Sequence, residues 1–225
     1  ARPGWRSVER GPGRLAEVAA MKVAIVGAGS VGSALAEGLR RAGHDVVLAV
    51  RDSTRRGGLP VPTRAVRGAA DDADVTVLAV PVDAAAEALA ELAPPEGTVI
   101  VDATNPFGRL VPGGHASGAA LVAATVPRCR VVKAFNVLGY ENMTDPVFDD
   151  RHRALLPVAG DDAEARDRVV ELASSAGFDA VDVGGLEAAP LLEEAARYWG
   201  LLAYSGGLGR RFALGALRRE GGGTP

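Results

Sequence analysis

Short apolar runs, most of them rich in valine, alternate along this chain with longer alanine-rich stretches. The runs cover residues 22–26, 46–50, 75–80, 98–101 and 131–134. They are nearly continuous in apolar side chains, as expected of parallel strands that are covered by helices on both faces. Alternation of such strands with helical stretches is typical of βαβ units. The pattern therefore predicts an α/β fold built on a doubly wound parallel sheet.

The first helical stretch shows a clear period. Val31, Leu35 and Leu39 fall at i, i+4 and i+8 and form one apolar stripe. Gly43 follows them at the position where a glycine commonly ends a helix. We expect this helix to pack against the first strand.

The pattern changes after Asn136, where residues 139–150 are rich in proline, aspartate and asparagine. Beyond them the sequence predicts a strand at residues 154–159, a helix at 162–176 and a strand at 180–183. These elements predict a small C-terminal α/β lobe over residues 150–225.

The last helical region carries apolar residues at three- and four-residue steps, at Leu191, Leu192, Ala195, Trp199 and Leu202. Gly206 and Gly207 interrupt the pattern, and the helix is predicted to resume towards Arg219. We expect most of the stripe to lie in the core, while a part of it could form a homodimer face.

A glycine-rich segment follows the first predicted strand and opens the first helix. It consists of Gly27, Ala28, Gly29, Ser30, Val31 and Gly32, which is the GxGxxG pattern of dinucleotide-binding folds. Gly27 permits a tight turn, Gly29 lets the backbone approach a pyrophosphate, and Gly32 lets the helix pack closely on the strand. The N–H groups and the positive dipole at the helix start would bind the pyrophosphate. The sequence therefore predicts a Rossmann-type sheet that binds a dinucleotide.

The residue at the tip of the second strand indicates which dinucleotide is bound. Folds that prefer NAD place an acid there, on the ribose 2′-hydroxyl. This chain has Arg51, whose guanidinium would pair with the 2′-phosphate of NADP, and Arg55 and Arg56 could add charge. NADP(H) is the predicted cofactor, and Asp52, one residue after Arg51, leaves NAD open as the alternative.

These assignments divide the chain into three parts. Residues 1–20 interleave arginine with proline and glycine and lack the apolar core of a secretory signal, so a flexible N-terminal extension is predicted. Residues 21–149 are predicted to form the NADP-binding Rossmann domain. The C-terminal lobe, residues 150–225, completes the chain.

Ligands of doubly wound sheets lie outside the carboxyl ends of the strands. The segments expected there are 81–82, 102–106 and 135–137. Lys133 is a candidate acid beside them, but a lysine within a strand is more often held by a carbonyl or a carboxylate. His115 lies on a loop that could reach a substrate, whereas His44 and His152 are expected at the surface.

Composition and charge exclude several other classes of function. A net charge of −3 argues against a nucleic-acid partner. Cys129 is the only cysteine, so an intramolecular disulfide and a cysteine-based zinc site are impossible, and a reducing cytoplasm is expected. Charged residues and Pro81 break the longest apolar stretch, residues 75–93, so no membrane span is predicted.

No spacing in the chain suggests a hydrolytic triad or a metal site. Hydride transfer needs neither, because the cofactor supplies the reactive carbon while the protein aligns it and excludes water. We therefore predict no catalytic side chain and no metal ligand.

Several longer segments resemble a known family, the NADP oxidoreductases that depend on the deazaflavin coenzyme F420. The resemblance covers about residues 21–218. It rests on MKVAIVGAGSVGSALAEGL, VDATNPFG, GGHASGA, RVVKAFNVLGYENMTDP, PVAGDD and GFDAVDVGGLEAAPLLEEAARYWGLLA. The KAFN segment and the ENM that follows it are far more specific than the glycine pattern.

The resemblance implies a set of cofactor-binding residues. It places the pyrophosphate on residues 27–32, the 2′-phosphate on Arg51 with Arg55, and Phe135 behind the nicotinamide. The other implied positions are Ala79, Val80 and Pro81 on the path to the nicotinamide, and Asn105, Ala134 and Asn136 beside it. Val50 departs from the family pattern, because relatives that use the deazaflavin often have a serine there that reaches the 2′-phosphate.

The resemblance also implies an activity, a hydride transfer between NADP(H) and coenzyme F420 or a flavin-type acceptor. Two alternatives remain open. One is an NADPH-dependent reductase of a small carbonyl or imine substrate, although no lysine follows Lys133 to serve it. The other is a redox sensor that binds NADP without turnover.

The expected partner is thus a small-molecule substrate or coenzyme. The arginines near the C-terminus, Arg210, Arg211, Arg218 and Arg219, could meet the acidic tail of a deazaflavin or could complement a helix C-terminus.

Overall fold

The computed structural model describes residues 19–51 and 58–218. Its described strands form one sheet in the order β3-β2-β1-β4-β5-β6-β7-β8. Their bounds are β1 Lys22–Val26, β2 Asp45–Val50, β3 Thr63–Ala65, β4 Val75–Leu78, β5 Val99–Asp102, β6 Arg130–Lys133, β7 Leu155–Gly160 and β8 Asp179–Asp182. The strands from β1 to β6 pair in parallel, β6 pairs antiparallel with β7, and β7 pairs parallel with β8.

Helices cover both faces of the sheet. They are α1 Ser30–Arg41, α2 Ala85–Leu92, α3 Gly118–Thr125, α4 Ala163–Ser175 and α5 Ala189–Tyr204. Leu39 of α1 and Leu172 of α4 are buried in one apolar core, while Leu89 of α2 and Val122 of α3 are buried in a second.

Successive residues of a strand contribute to the two cores in turn. In β1, Val23 and Ile25 belong to the first core, and Ala24 and Val26 to the second. This alternation is what a pleated strand buried on both faces requires. The predicted Rossmann-type, doubly wound parallel sheet is confirmed.

The ends of the helices follow the expected local chemistry. Helix α1 ends before Gly43, which has φ +91°, and the backbone N–H of His44 donates to the carbonyl of Leu39. The side chain of Asp162 caps α4 by accepting from the N–H of Ala165. The predicted glycine stop of the first helix is therefore confirmed.

The C-terminal part of the chain extends the same sheet. Residues from 150 onward contribute β7 and β8 at its edge, with α4 and α5 packed beside them. The division of the chain at residue 150 stays a prediction. Residues 1–18 of the predicted N-terminal extension lie outside the described residues.

Three features differ from the sequence-based expectations. The short strand β3 was not predicted. The predicted continuation of the last helix is wrong, because residues 207–217 are not helical and Gly207 and Gly209 take φ values of +73° and +71°. His44, expected at the surface, is buried.

The non-helical segment is held by the body of the protein. The indole N–H of Trp199 donates to the carbonyl of Phe212 at 3.1 Å, and the two rings stack at 5.3 Å. The N–H of Leu155 donates to the carbonyl of Leu214 at 2.8 Å. No helix formed by the described residues is long and apolar enough to cross a membrane.

Candidate dinucleotide-binding site

The turn between β1 and α1 can be formed only by glycine at two of its three motif positions. Gly27 has φ +108°, and a Cβ there would lie 2.5 Å from the carbonyl oxygen of Ala79. A Cβ on Gly32 would collide with the carbonyl oxygen of Gly27. Both glycines therefore serve the close packing of the turn, of α1 and of the end of β4.

Gly29 is different, because a Cβ built on it would meet nothing within 4 Å. Its φ is −74°, which any residue adopts. The packing of the protein therefore does not require a glycine here, whereas the dinucleotide-binding motif uses this position for the close approach of a ligand to the backbone. The open face above Gly29 fits a pyrophosphate, which is the group that this position of the motif meets.

The start of α1 is suited to an anion. Gly29 is the N-cap and no side chain caps the helix. The first turn carries no acidic residue, so nothing there repels a phosphate. Ser30 and Val31 begin the helix, where N–H groups have no partner within the helix and the dipole is positive. Ala28 completes the turn and its carbonyl accepts from the Ser33 hydroxyl.

The chain that follows β4 runs beside this turn. The N–H of Ala79 donates to the carbonyl of Val26 at 2.9 Å, and Val80 lies next to Gly27. Pro81 then precedes a 3-10 turn, Val82–Ala84, that leads into α2. Of the three predicted positions, Ala79 and Val80 thus lie against the glycine turn, and Pro81 follows them at the start of the 3-10 turn.

A cleft of about 190 Å³ opens beside the turn. One wall consists of the glycine turn, the end of β2 and Arg51, which follows β2, and the other is a face of α2. The lining residues are Val26, Gly27, Ala28, Ala49, Val50, Arg51, Val66, Val80, Ala84, Glu87, Ala88 and Glu91. This cleft lies where the adenosine of a dinucleotide binds in a Rossmann fold.

Arg51 lies at the mouth of the cleft and is 78% exposed. Its Nη1 is 3.8 Å from Oε1 of Glu87, a carboxylate that the sequence analysis did not single out. Val50, the departure from the family pattern, lines the same cleft. The predicted contact of Arg55, together with Arg56 and the alternative acid Asp52, lies outside the described residues.

Two asparagines meet at the other end of the candidate site. Asn105 follows β5 and donates through Nδ2 to the carbonyl of Asn136 at 2.8 Å. Asn136 follows β6 and donates through Nδ2 to Oδ1 of Asn105 and to the carbonyl of Leu192, each at 3.0 Å. This pair joins the carboxyl ends of β5 and β6 to α5.

The residues between β6 and Asn136 form a tight bend. Ala134 is buried, and its N–H donates to the carbonyl of Asp102 at 3.3 Å. Phe135 has φ +59°, which is unusual for a residue with a side chain, and its buried ring packs edge-on against Phe178 at 5.6 Å. The bend aims Asn136 back towards Asn105.

Lys133 lies beneath this pair and is fully buried. Its Nζ donates to Oδ2 of Asp102 at 2.8 Å, to the carbonyl of Thr104 at 2.6 Å and to Oε1 of Glu193 at 2.9 Å. An ammonium has three donors, so all of them are engaged. The structural interpretation of Lys133 from the sequence is confirmed, and the lysine has no proton directed at a ligand.

Glu193 also binds the backbone on the far side of the site. Its Oε1 accepts from the N–H of Gly118 at 2.9 Å, at the start of α3. A Cβ on Gly118 would lie 2.6 Å from Oγ1 of Thr104. Helices α3 and α5 and the strands β5 and β6 therefore meet at one buried charged cluster, formed by Asp102, Lys133 and Glu193.

His152 and two of the C-terminal arginines, Arg210 and Arg218, bind other side chains of the protein. His152 is exposed, as expected, and binds Asp149 in its own turn. Arg210 pairs with Glu141 and lies over the ring of Tyr140 at 4.9 Å, and Arg218 pairs with Asp179 at 2.8 Å. Arg219 lies outside the described residues.

One exposed aromatic residue near Asn105 escaped the sequence analysis. Phe107 occupies a turn in which the N–H of Arg109 donates to the carbonyl of Pro106, and its φ is +49°. Phe107 is 64% exposed, and Leu110, three residues later, is 96% exposed. A strained backbone is a signal that only coordinates provide.

His115 lies on the loop before α3 and is partly buried. Over the part of the chain that the structure describes, no group of three histidine, cysteine or acidic side chains is placed to hold a metal ion.

Comparison with known proteins shows what the chain is similar to. Residues 22–106 match the family model for NADP oxidoreductases described as coenzyme F420-dependent. The metalloreductase STEAP3 of Rattus norvegicus is 32% identical over 186 residues, which cover 80% of this chain. The chain spans 38% of the length of that relative.

Two solved structures resemble the protein over most of its length. A protein of Arthrobacter sp. FB24 assigned as an F420-dependent NADP-reductase is 26% identical, with a TM-score of 0.73, and the match covers 88% of this chain and 100% of that one. The hypothetical protein SMa0349 of Sinorhizobium meliloti is 29% identical, with a TM-score of 0.68 over 88% and 96% of the two chains. The region matched by the family model, residues 22–106, contains the glycine turn, the cleft and Asn105, and in this region the chain is similar to the NADP oxidoreductases described as coenzyme F420-dependent.

Proposed function

We propose that this protein transfers a hydride between NADP(H) and a deazaflavin of the coenzyme F420 type or a flavin. The observation that carries the proposal is the open face above Gly29, in the same glycine turn whose Gly27 and Ala28 line the cleft with Arg51. Asn105 and Asn136 lie together after β5 and β6 of the same sheet. Arg51 would then bind the 2′-phosphate of NADP, the glycine turn its pyrophosphate, and the asparagine pair would lie beside its nicotinamide.

When bound, the nicotinamide ring supplies the hydride. The protein has to hold the ring at a fixed position and angle, because hydride transfer depends on alignment. The asparagine pair, fixed by three hydrogen bonds, provides a rigid polar edge at that position. Phe135 supports this edge from the core.

The acceptor would lie on the solvent side of the asparagine pair, next to Phe107. An exposed aromatic ring offers a stacking surface to a planar acceptor. Its backbone is held in the left-handed region, where a side chain costs about 1–3 kcal/mol, and such strain is found mainly at binding and catalytic sites. These two properties support an aromatic heterocycle, a deazaflavin or flavin, as the acceptor.

Reduction of a carbonyl or an imine by contrast requires a proton donor. Lys133, the candidate acid beside the predicted site, has its three N–H groups engaged in the buried charged cluster, and no lysine follows it in the chain. Hydride transfer from the nicotinamide to a deazaflavin or flavin ring does not require a proton from Lys133. The burial of Lys133 therefore favours a deazaflavin or a flavin as the acceptor.

The test is NADPH oxidation by the purified protein with coenzyme F420, FMN, FAD and a ferric chelate added in turn. NADH serves as the paired cofactor, and the variant Gly29→Ala as the matched protein control. The proposal expects turnover with F420 or with a flavin and a preference for NADPH. Binding of NADPH without turnover on any of these acceptors would refute the proposed acceptor class.

A further inference from the structure

The cleft beside the glycine turn carries more negative than positive side chains, although its expected ligand, NADP, is itself an anion. Among its described lining residues, Arg51 carries a positive charge, while Glu87 and Glu91 carry negative ones. The two glutamates are four residues apart on α2, on the same face as Ala84 and Ala88. They therefore face Arg51 across the cleft.

Glu87 also contacts the residue that is predicted to bind the 2′-phosphate. Its Oε1 lies 3.8 Å from Nη1 of Arg51, and both side chains are more than three-quarters exposed. A 2′-phosphate and the Glu87 carboxylate are both anions that bind a guanidinium through oxygen. The cofactor can bind Arg51 fully only if this ion pair loosens.

We propose that Glu87 is a specificity-determining residue that competes with the 2′-phosphate of NADP(H) for Arg51. The inference rests on the proposed function, because it requires the adenosine half of NADP in this cleft. As a consequence, the protein binds NADP(H) less tightly than Arg51 would allow without Glu87. The binding of NAD(H), which has no 2′-phosphate, is unaffected.

The competition acts only on ligands that carry the 2′-phosphate. The two half-ligands 2′,5′-ADP and 5′-AMP separate this effect from adenine and ribose contacts, because they differ in that one phosphate. Removing the charge of Glu87 should tighten the binding of 2′,5′-ADP about threefold to fivefold, in keeping with the modest strength of exposed ion pairs. The binding of 5′-AMP should change by less than about twofold.

Salt should distinguish competition from a structural effect. Exposed charges are screened within about 8 Å at physiological ionic strength, and more strongly at 1 M. The difference between wild type and Glu87→Gln should therefore shrink as salt is raised. A change in the shape of the cleft would persist at high salt.

The experiment is calorimetric titration of the full chain with 2′,5′-ADP and 5′-AMP at low and high salt. The variants are Glu87→Gln, Arg51→Gln and the double variant, with Glu96→Gln as the matched control. Glu96 pairs with Arg128 at 3.5 Å and is comparably exposed, and neither residue lines the cleft. The account expects tightening of 2′,5′-ADP by Glu87→Gln only, with most of the gain lost when Arg51 is also replaced.

The possible failures are distinguishable. A wild-type protein that does not bind 2′,5′-ADP overturns the proposed function, and the role of Glu87 with it. A wild-type protein that binds 2′,5′-ADP, together with a Glu87→Gln variant of equal affinity, overturns only the role of Glu87. An undiminished gain in the Arg51→Gln background also overturns the competition.

Discussion

Lys133 and Glu193 join the parallel sheet to the last helix through a hydrogen-bonded ion pair of 2.9 Å that is buried at both ends. Asp102 binds the same ammonium at 2.8 Å, so one positive charge lies between two carboxylates. Buried charges are tolerated when they are paired and hydrogen-bonded, and removing one partner leaves the others uncompensated. The pair thus fixes α5 relative to β5 and β6, and with it the carbonyl of Leu192 that holds Asn136.

Replacing Lys133 by methionine should destabilise the protein strongly. Methionine is also unbranched and is one atom shorter, but Asp102 and Glu193 remain buried without their cation, at a cost of about 3–5 kcal/mol in the free energy of unfolding. Urea denaturation measures this loss. Lys22→Met is the matched control, since Lys22 is also in a strand but is exposed, and it should change stability by less than about 1 kcal/mol. Equal effects of the two substitutions would show that the buried cluster does not stabilise the fold.

Two glycines of the turn should respond differently to alanine. Gly32→Ala places a methyl group against the backbone of Gly27, so stability should fall by about 1–3 kcal/mol. Gly29→Ala meets no atom within 4 Å and has an ordinary φ, so the fold should keep its stability. The methyl group would however occupy the face assigned to the pyrophosphate, and NADPH should bind at least about tenfold more weakly.

Thermal unfolding and titration with NADPH separate the two outcomes for these glycines. If the Gly29→Ala variant bound NADPH as tightly as the wild type, the assignment of the pyrophosphate to the face above Gly29 would be wrong.

Phe107 should affect the acceptor and not the cofactor. Replacing it by alanine removes the exposed ring, and the loss of a stacking contact should raise the KM for the acceptor about threefold to tenfold. The KM for NADPH should stay unchanged. Phe148→Ala provides a control, because Phe148 is also an exposed phenylalanine and lies on a different loop. A rise in the KM for NADPH alone would contradict this assignment of Phe107.

The pH dependence of stability should reflect His44. The Met21 N–H donates to Nδ1 of His44 at 3.1 Å, so the neutral ring carries its proton on Nε2 and donates to Oγ of Ser175 at 2.7 Å. Burial lowers the pKa of His44 below its ordinary value of 6.5, and the charge of Glu171 partly opposes this. The unfolded chain therefore binds a proton at a higher pH than the folded protein does.

It follows that the stability contributed by neutral His44 is complete above pH 6.5 and falls as the pH drops towards the lower pKa of the folded state. The slope can reach at most about 1.4 kcal/mol per pH unit. Urea denaturation at a series of pH values should show this slope in the wild type and in His152→Gln, and a smaller one in His44→Gln. An identical slope in all three proteins would contradict the role of His44.

The fold could be predicted from the sequence because its strands are buried on both faces and are therefore apolar throughout. Residues 22–26 were predicted with the bounds that the structure has. The strand β3 escaped because its three residues include Arg64 and it is only partly buried. The tail beyond residue 207 escaped because its contacts, such as Trp199 with Phe212, are tertiary and leave no helical or strand period.

The sequence predicted those site residues that the geometry of a single turn determines. It did not predict contacts between residues that lie far apart along the chain. Gly27 and Gly32 follow from the shape of one turn, and the structure shows the collisions that exclude other residues. The contacts of Lys133 with Glu193 and of Arg51 with Glu87 join residues that are 60 and 36 positions apart, respectively. His44 was placed at the surface because its turn is short and polar, whereas Ser175 of α4 covers it.

The central claim is a direct hydride transfer from NADPH to a ring acceptor. The most direct measurement is the reaction of the purified protein with NADPH deuterated at the transferred position of C4 and oxidised coenzyme F420, followed by mass spectrometry of the reduced deazaflavin. A deazaflavin accepts the hydride at carbon, so the label does not exchange with water. The account predicts one deuterium in each reduced ring. Reduction of the ring without deuterium from either face of NADPH would contradict it.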